Sequence, residues 1–302
     1  PTGALGFFLD NDYDGDGVRI EEILDRGPLE VAELGIEPGM VITAVDGVEL
    51  NADANYYEQL AGKVGERVRI TLRDGGKSFD RVVMPISTRE EWNLRYRRWV
   101  NQRRDQVERL SGGRLGYVHV RGMNDRSFRE VYSEVLGRYF GTEGIVVDTR
   151  FNGGGWLHDD LLVFLTGRHY ADFAPRNQAV DDQRFYGEPG TRWSKPTVVV
   201  IGEANYSDAH AFPWAYMKTG AGPLVGMPVP GTATAVWWER LHTGDLVFGI
   251  PQVGFLDIED GSYLENAQLE PDHRVKLDPE SAARGEDPQI AKAVEVLLGM
   301  VE

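Results

Sequence analysis

A serine at the first turn of a helix, directly after a buried strand, is placed for acyl-transfer chemistry, and this sequence contains such a serine. The segment Gly202-Glu203-Ala204-Asn205-Tyr206-Ser207-Asp208-Ala209-His210 follows the apolar run 197–201 and opens a helical pattern reaching Thr219. Taken alone, Ser207 reads as an ordinary helix N-cap. The same position, however, aims backbone N–H groups at negative charge developing beside it, and one such donor to an oxyanion is worth ~3–4 kcal/mol.

A second loop has matching chemistry. Asp148-Thr149-Arg150-Phe151-Asn152-Gly153-Gly154-Gly155 follows the apolar run 144–148 and precedes a helical pattern at 157–165. Glycines there let the backbone approach a ligand, yet neither phosphate-binding pattern, G-x-x-x-x-G-K-S/T or G-x-G-x-x-G, follows. By itself the loop reads better as a tight strand-to-helix turn. Paired with the serine loop it places two strand ends, a hydroxyl and several N–H donors at one site.

The proton acceptor is harder to find. His210, on the same helix as Ser207, and His158, just past the glycines, are the histidines near the site in sequence, and core or surface filling accounts for His210 better than catalysis does. The run from Asp10 to Glu21 satisfies D-x-D-x-D-G-x5-E, the spacing of a calcium loop. Both of its flanks read as strands rather than helices, so a solvated hairpin loop is expected.

The elements that must position these residues fall into two groups. Residues 1–86 alternate short strands (5–9, 18–20, 40–45, 67–72) with turns at Pro38-Gly39 and Asp46-Gly47, a small β-rich domain. Residues 87–112 form a charged stretch with Trp92, Tyr96 and Trp99 near helical spacing, read as a linker helix docked by its aromatic edge. Residues 113–302 alternate strands at 115–120, 144–148 and 197–201 with helices near 127–140, 157–165 and 208–219. Strands at 224–226 and 246–250 and a helix at 287–298 follow, an α/β layer structure.

Composition narrows the function classes. The net charge of −16 argues against nucleic acid and anionic membrane as partners, and the absence of cysteine excludes a thiol nucleophile, disulfides and zinc-thiolate sites. No apolar run is long enough to insert in a membrane. The chain opens on Pro1-Thr2-Gly3-Ala4, neither an initiator Met nor a leader, and is read as part of a longer protein. The compartment stays open, with cytoplasmic weighed ahead of periplasmic.

The run Gly35-Ile36-Glu37-Pro38-Gly39-Met40-Val41-Ile42-Thr43-Ala44-Val45-Asp46-Gly47 resembles the PDZ family, and Gly3-Ala4-Leu5-Gly6-Phe7 looks like its carboxylate-binding loop. The resemblance implies peptide capture through Leu5, Gly6 and Phe7 by strand addition; a rigid spacer is the equal alternative. Phe151 to Gly155, Asn205-Tyr206-Ser207-Asp208, Leu264-Glu265-Asn266 with Glu270-Pro271-Asp272, and Asp287-Pro288-Gln289-Ile290 occur in the order and approximate spacing of the tricorn proteases, within the wider clan of C-terminal processing peptidases.

That resemblance implies a crotonase-like α/β superhelix and a serine peptidase acting on peptides or unfolded protein without metal or cofactor. It puts the nucleophile on Ser207, the oxyanion donors on Gly155 and Asp208, and the tetrad glutamate on Glu265. It implies a histidine base and an orienting serine before the PDZ domain, outside this chain, so that these residues alone have little activity. The lysine of the clan's Ser-Lys branch is replaced by Gly231-Thr232-Ala233-Thr234, and Lys218 is on the wrong element. The side-chain specificity position falls on Phe173, with Asp172 adjacent, and the strand that pairs with substrate on Ala235-Val236. A homo-oligomer is a further implication. The alternative from another class is a catalytically silent scaffold that binds peptides through the PDZ-like groove.

Overall fold

The computed structural model describes residues 1–52, 54–173 and 187–302, with the side chains of Asp172 and Gly187 outside that description. The chain divides into two compact units, Pro1–Asn101 and Gln102–Glu302.

The first unit is built from β1 (Gly3–Ala4), β2 (Phe7–Leu9), β3 (Val18–Ile23), β4 (Val41–Val45), β5 (Val48–Glu49), β6 (Val68–Asp74), β7 (Lys77–Val83) and β8 (Ile86–Ser87). The main sheet runs β2-β3-β4-β6-β7, antiparallel throughout, with β2 at its edge. Its core gathers one face of the alternating strands: Phe7, Ile20, Ile42, Val45, Val68, Ile70 and Leu72, closed by Tyr56 and Leu60. Residues 56–60 form a 3-10 turn capped by the Asn55 side chain.

Helix α1 (Thr88–Ser111) follows. Basic side chains of this helix make contacts within the first unit. Arg95 and Arg98 lie over the Phe8 ring and Arg98 pairs with Glu22, while Trp92 stays 69% exposed. Guanidinium groups stack on aromatic faces and keep ion-pair geometry at once, which the pattern of apolar residues alone does not encode.

The acidic loop before β3 is a hairpin connection, flanked by β2 and β3. Asp10 is paired with Arg19, and the Asp16 carboxylate accepts the Ala52 N–H.

The second unit contains β9 (Leu115–His119), α2 (Asp125–Ser133), β10 (Gly144–Asp148), α3 (His158–Leu165), β11 (Ala171–Asp172), β12 (Gly187–Glu188), β13 (Thr197–Ile201), α4 (Asp208–Lys218), β14 (Leu224–Gly226), β15 (Thr234–Arg240), β16 (Val247–Gly254), β17 (His273–Arg274), α5 (Pro279–Ala283) and α6 (Pro288–Val301). The helix expected at 127–140 passes into a π turn at Glu134–Arg138. Five strands form a parallel sheet in the order β17-β14-β13-β10-β9. Parallel strands covered on both faces must be apolar at every position, and Val146, Val147, Val198, Val199, Val200 and Ile201 are fully buried.

Because β10 and β13 are neighbours and parallel, with Asp148 opposite Val200, their C-terminal ends emerge at the same edge. That register brings the glycine loop beside the serine loop. The strand expected at 246–250 is one arm of a longer hairpin, β15–β16, with a bulge between Ala235 and Val236.

Among the described residues, no helix is long and apolar enough to cross a membrane.

Candidate active site

Ser207 sits where β13 turns into α4, with φ 57° and ψ −121°. A non-glycine residue there costs about 1–3 kcal/mol and persists only where its surroundings hold it. Three sets of contacts do so. The Ser207 C=O accepts from the His210 N–H at 2.7 Å, starting the helix; the Tyr206 N–H donates to the Asn152 C=O at 3.0 Å; and the Ser207 N–H donates to Thr232 Oγ1 at 3.3 Å.

Asn205 braces the same turn from below. Pro213 lies inside α4 and has no N–H, so the Ala209 C=O lacks its helical donor. The buried Asn205 amide supplies that donor at 3.2 Å and also bonds Thr149 Oγ1 at 2.9 Å, joining the turn to the end of β10.

The glycine loop lies against this elbow. Asn152 is fully buried; its amide donates to the Val120 C=O at 2.8 Å and its oxygen accepts the Gly154 N–H at 2.9 Å. A Cβ on Gly154 would stand 2.7 Å from Ser207 Cβ and 3.1 Å from the Asp208 nitrogen, so only glycine allows this approach. Gly155, at φ +145°, bridges to Met123, and a Cβ there would collide with the Met123 carbonyl oxygen. Sequence reasoning treated the third glycine alone as functional. The Gly154 N–H is bound by Asn152, and Gly154 is the residue that lets the loops touch.

Asp208 is the first residue of α4, where helix N–H groups lack intrahelical partners. Its side chain reaches across to α3, accepting the Leu157 N–H at 2.5 Å and the His158 N–H at 3.1 Å and pairing with His158 Nδ1 at 2.5 Å. This hydrogen bond raises the His158 pKa above its ordinary value, against the opposing effect of partial burial.

Glu265 lies on the loop before Asn266, and its Oε2 accepts both the N–H and the hydroxyl of Thr234, at 2.9 and 2.7 Å. The preceding turn is pressed on the same loop: Gly231 packs on Asn266 so closely that a Cβ would meet backbone. Thr232 connects this wall to the serine, accepting from the Ser207 N–H and donating its own N–H to His210 Nδ1 at 3.4 Å. His210 is buried; burial lowers its pKa, partly offset by Glu265. The segment 231–234 thus ties Ser207, His210 and Glu265 into one neighbourhood.

The remaining expected site residues are more scattered. Ala235 and Val236 are half-buried at the bulge of β15. Phe173 is exposed beside the segment 174–186, and the Asp172 side chain lies outside the described residues. In the first unit, the Leu5 and Phe7 side chains are in the core and Gly6, at φ +73°, packs on Gly27 and Pro28. Lys218 is occupied by Asp257 and Glu259.

One group escaped sequence reasoning altogether. Beneath the glycine loop, buried Arg150 binds Asp148 bidentately, Asp287 at 2.9 Å and Gln289 at 2.7 Å, while Arg103 binds Asp287 at 3.2 Å and Tyr117 donates to Asp148 at 2.9 Å. Two arginines balance two aspartates. Burial alone would push the Asp148 carboxyl up, but Arg150, together with His119, more than reverses this and holds it below its ordinary value. Asp287 also caps α6, so the network fixes the glycine loop to that helix and to the end of α1.

Residues 114–275, more than half of the chain, match peptidase family S41, and residues 5–88 match the tricorn protease PDZ domain. The tricorn protease of Thermoplasma acidophilum is 28% identical over 95% of this chain and 25% of its own length. Tricorn protease homolog 1 of Streptomyces coelicolor is 31% identical over 99% of this chain and 28% of its own length. A crystal structure of the tricorn protease superposes with TM-score 0.83 and 26% identity, covering 99% of this chain and 29% of that one. The chain therefore spans between a quarter and a third of the length of these relatives. By these matches it belongs to peptidase family S41, as a tricorn-like protease chain whose β-rich PDZ-like domain precedes an α/β domain with a parallel sheet.

Proposed function

We propose that this chain carries the nucleophile of a serine peptidase acting on peptides or unfolded protein. The observation that supports this most directly is the Ser207 backbone. It is held in a costly conformation at a helix N-terminus, against a loop in which a side chain at Gly154 would meet Ser207 itself.

In this reading Ser207 Oγ attacks the scissile carbonyl carbon and gives up its proton to a histidine. The carbonyl oxygen becomes an oxyanion, held by the N–H groups of Gly155 and Asp208. Collapse expels the amine, which takes the proton back, and water then hydrolyses the acyl-enzyme. Glu265 supports the serine–histidine pair through the 231–234 wall. By the family resemblance the histidine lies with its orienting serine outside these residues, and His210, buried against the 231–234 segment, and His158, bound to Asp208, are read as structural. Residues 1–302 alone are accordingly expected to react slowly.

The finer assignments belong to the same proposal. The second unit is read as crotonase-like, with divisions at 1–86, 87–112 and 113–302. Ala235-Val236 offers backbone to substrate, and the β2 edge takes peptide through the backbone of Leu5, Gly6 and Phe7, the Leu5 and Phe7 side chains being engaged in the core. The enzyme is an endopeptidase or oligopeptidase working as a homo-oligomer. Phe173 and the exposed rings of Phe151, Trp156 and Tyr206 around Ser207 favour apolar side chains at the cleavage site. A silent scaffold would have no use for a strained serine.

The test is labelling of the full-length protein by a fluorophosphonate. Labelling that disappears in Ser207→Ala supports the enzyme, and labelling unaffected by that change, or absent from both, overturns it.

A further inference from the structure

Asp208 raises an electrostatic problem. If its N–H receives the oxyanion, its own carboxylate, on the same residue, brings a negative charge close to the place where another negative charge must form. At separations of several ångströms in a partly desolvated site, like charges oppose each other by enough to change a rate severalfold. The carboxylate cannot simply be dispensed with. It accepts the Leu157 and His158 N–H groups, so it fixes the start of α3, three residues from Gly155, to the start of α4. One side chain therefore sets the spacing of the two loops that supply the oxyanion donors.

His158 meets this charge directly. Its Nδ1 is 2.5 Å from Asp208 Oδ1, and its ring is held edge-to-face between Trp156, at 5.5 Å between centroids, and Phe255, at 5.1 Å. The charged groups acting on it are Asp208 from α4 and Asp159 and Asp160 from its own helix, while Trp156 and Phe255 are uncharged. All three charges favour the imidazolium.

We propose that His158 is a positioning and charge-compensating residue for the oxyanion site, neutralising the Asp208 carboxylate when protonated and leaving it uncompensated when neutral. This inference rests on the reading of Ser207 as nucleophile. Protonated His158 makes the pair neutral overall; neutral His158 still donates Nδ1–H to Asp208 but leaves a net charge of −1. The hydrogen bond to Asp208 raises the His158 pKa, so compensation is complete below the ordinary histidine value near 6.5 and is lost as pH rises through the higher folded value. Acylation is therefore favoured on the acid side of that titration, independently of the base, whose own titration favours the alkaline side.

The experiment compares fluorophosphonate acylation rates of full-length wild type and His158→Asn across pH 5 to 9 (roughly the range spanning a histidine titration). Asparagine keeps an N–H donor for Asp208 and removes the titratable charge; the loss of ring packing on Trp156 and Phe255 acts alike at every pH, and the base's titration cancels in the ratio of the two rates. We expect the ratio of wild-type to variant rate to fall roughly threefold to tenfold from low to high pH. The inflection should coincide with the His158 midpoint measured by NMR in Ser207→Ala.

Asp208→Asn, which removes the other charge, should likewise lack the alkaline fall. It serves as the second variant if His158→Asn does not fold. A ratio that is constant with pH would reduce His158 to a packing role and overturn the inference while leaving the peptidase reading intact. Absence of Ser207-dependent labelling in wild type would overturn both.

Discussion

The Asn152 carbonyl accepts the Tyr206 N–H at 3.0 Å, so the loop after β10 and the turn before Ser207 are one hydrogen-bonded unit. Asn152 spends its amide on Val120 and its side-chain oxygen on Gly154 in the same arrangement. The position of the glycines relative to the serine is therefore set by a buried side chain between them, not by either loop alone.

The three glycines are not equivalent. A Cβ added at Gly153 would meet open space, whereas Gly154 faces Ser207 and Gly155 faces Met123. Gly153→Ala should leave fluorophosphonate labelling within about twofold of wild type, since surface changes away from such contacts are nearly neutral. Gly154→Ala and Gly155→Ala should each abolish labelling and destabilise by about 2 kcal/mol or more, both being strained by positive φ as well as by contact. Equal effects of all three would show that the close approach is not what the site depends on.

Ser207→Gly should remove the nucleophile and relieve backbone strain together. Relief of about 1–3 kcal/mol, less the roughly 0.5–1 kcal/mol that glycine costs through its unfolded-state freedom, leaves a small net gain. We expect thermal unfolding at or above the wild-type temperature with no labelling. A clear drop in melting temperature would mean that the elbow is not strained.

Arg150→Met should leave Asp148 buried without its main partner and cost about 3–5 kcal/mol near neutral pH. In wild type the folded Asp148 pKa is depressed, so its contribution is present above the unfolded carboxylate pKa and is lost as pH falls through the folded one. In the variant burial acts unopposed by Arg150, so acidification should narrow the gap between the two proteins. Denaturant midpoints at pH 7 and pH 5 measure this, and a gap that widens on acidification would contradict it.

His210→Ala should not abolish labelling of the full-length protein, since His210 is buried and its Nδ1 accepts from Thr232. Burial holds its folded pKa below the ordinary value, so its linkage favours the folded state above the unfolded pKa near 6.5 and weakens as pH falls toward the folded value. The variant's stability should accordingly fall less steeply on acidification below that point. Complete loss of labelling with folding intact would make His210 the base.

A peptide library should show cleavage after apolar residues. Cleavage mainly after Lys or Arg would assign the specificity position to an acidic side chain instead of Phe173 and the exposed rings near Ser207.

The sequence by itself determined what is local and periodic. Apolar runs at 144–148 and 197–201 are β10 and β13, because strands buried on both faces have no polar alternative. Glycine at 153–155 and a serine before a helical pattern marked the two loops, because backbone freedom and helix ends are properties of short segments. Only the tertiary structure decided which of these residues meet. Neighbouring parallel pairing of β10 and β13 put the loops at one edge, with Gly154 against Ser207.

The Arg150–Asp148–Asp287–Arg103 network and the His158–Asp208 pair were invisible in sequence for the same reason. Their members are separated by 50 to 184 residues, or, like Asp148 and Arg150, lie two apart at a strand end whose charged side chains no local pattern marks as buried. Charge pairing in a buried site is fixed by three-dimensional distance and desolvation, and neither is written in the spacing of the residues that carry it.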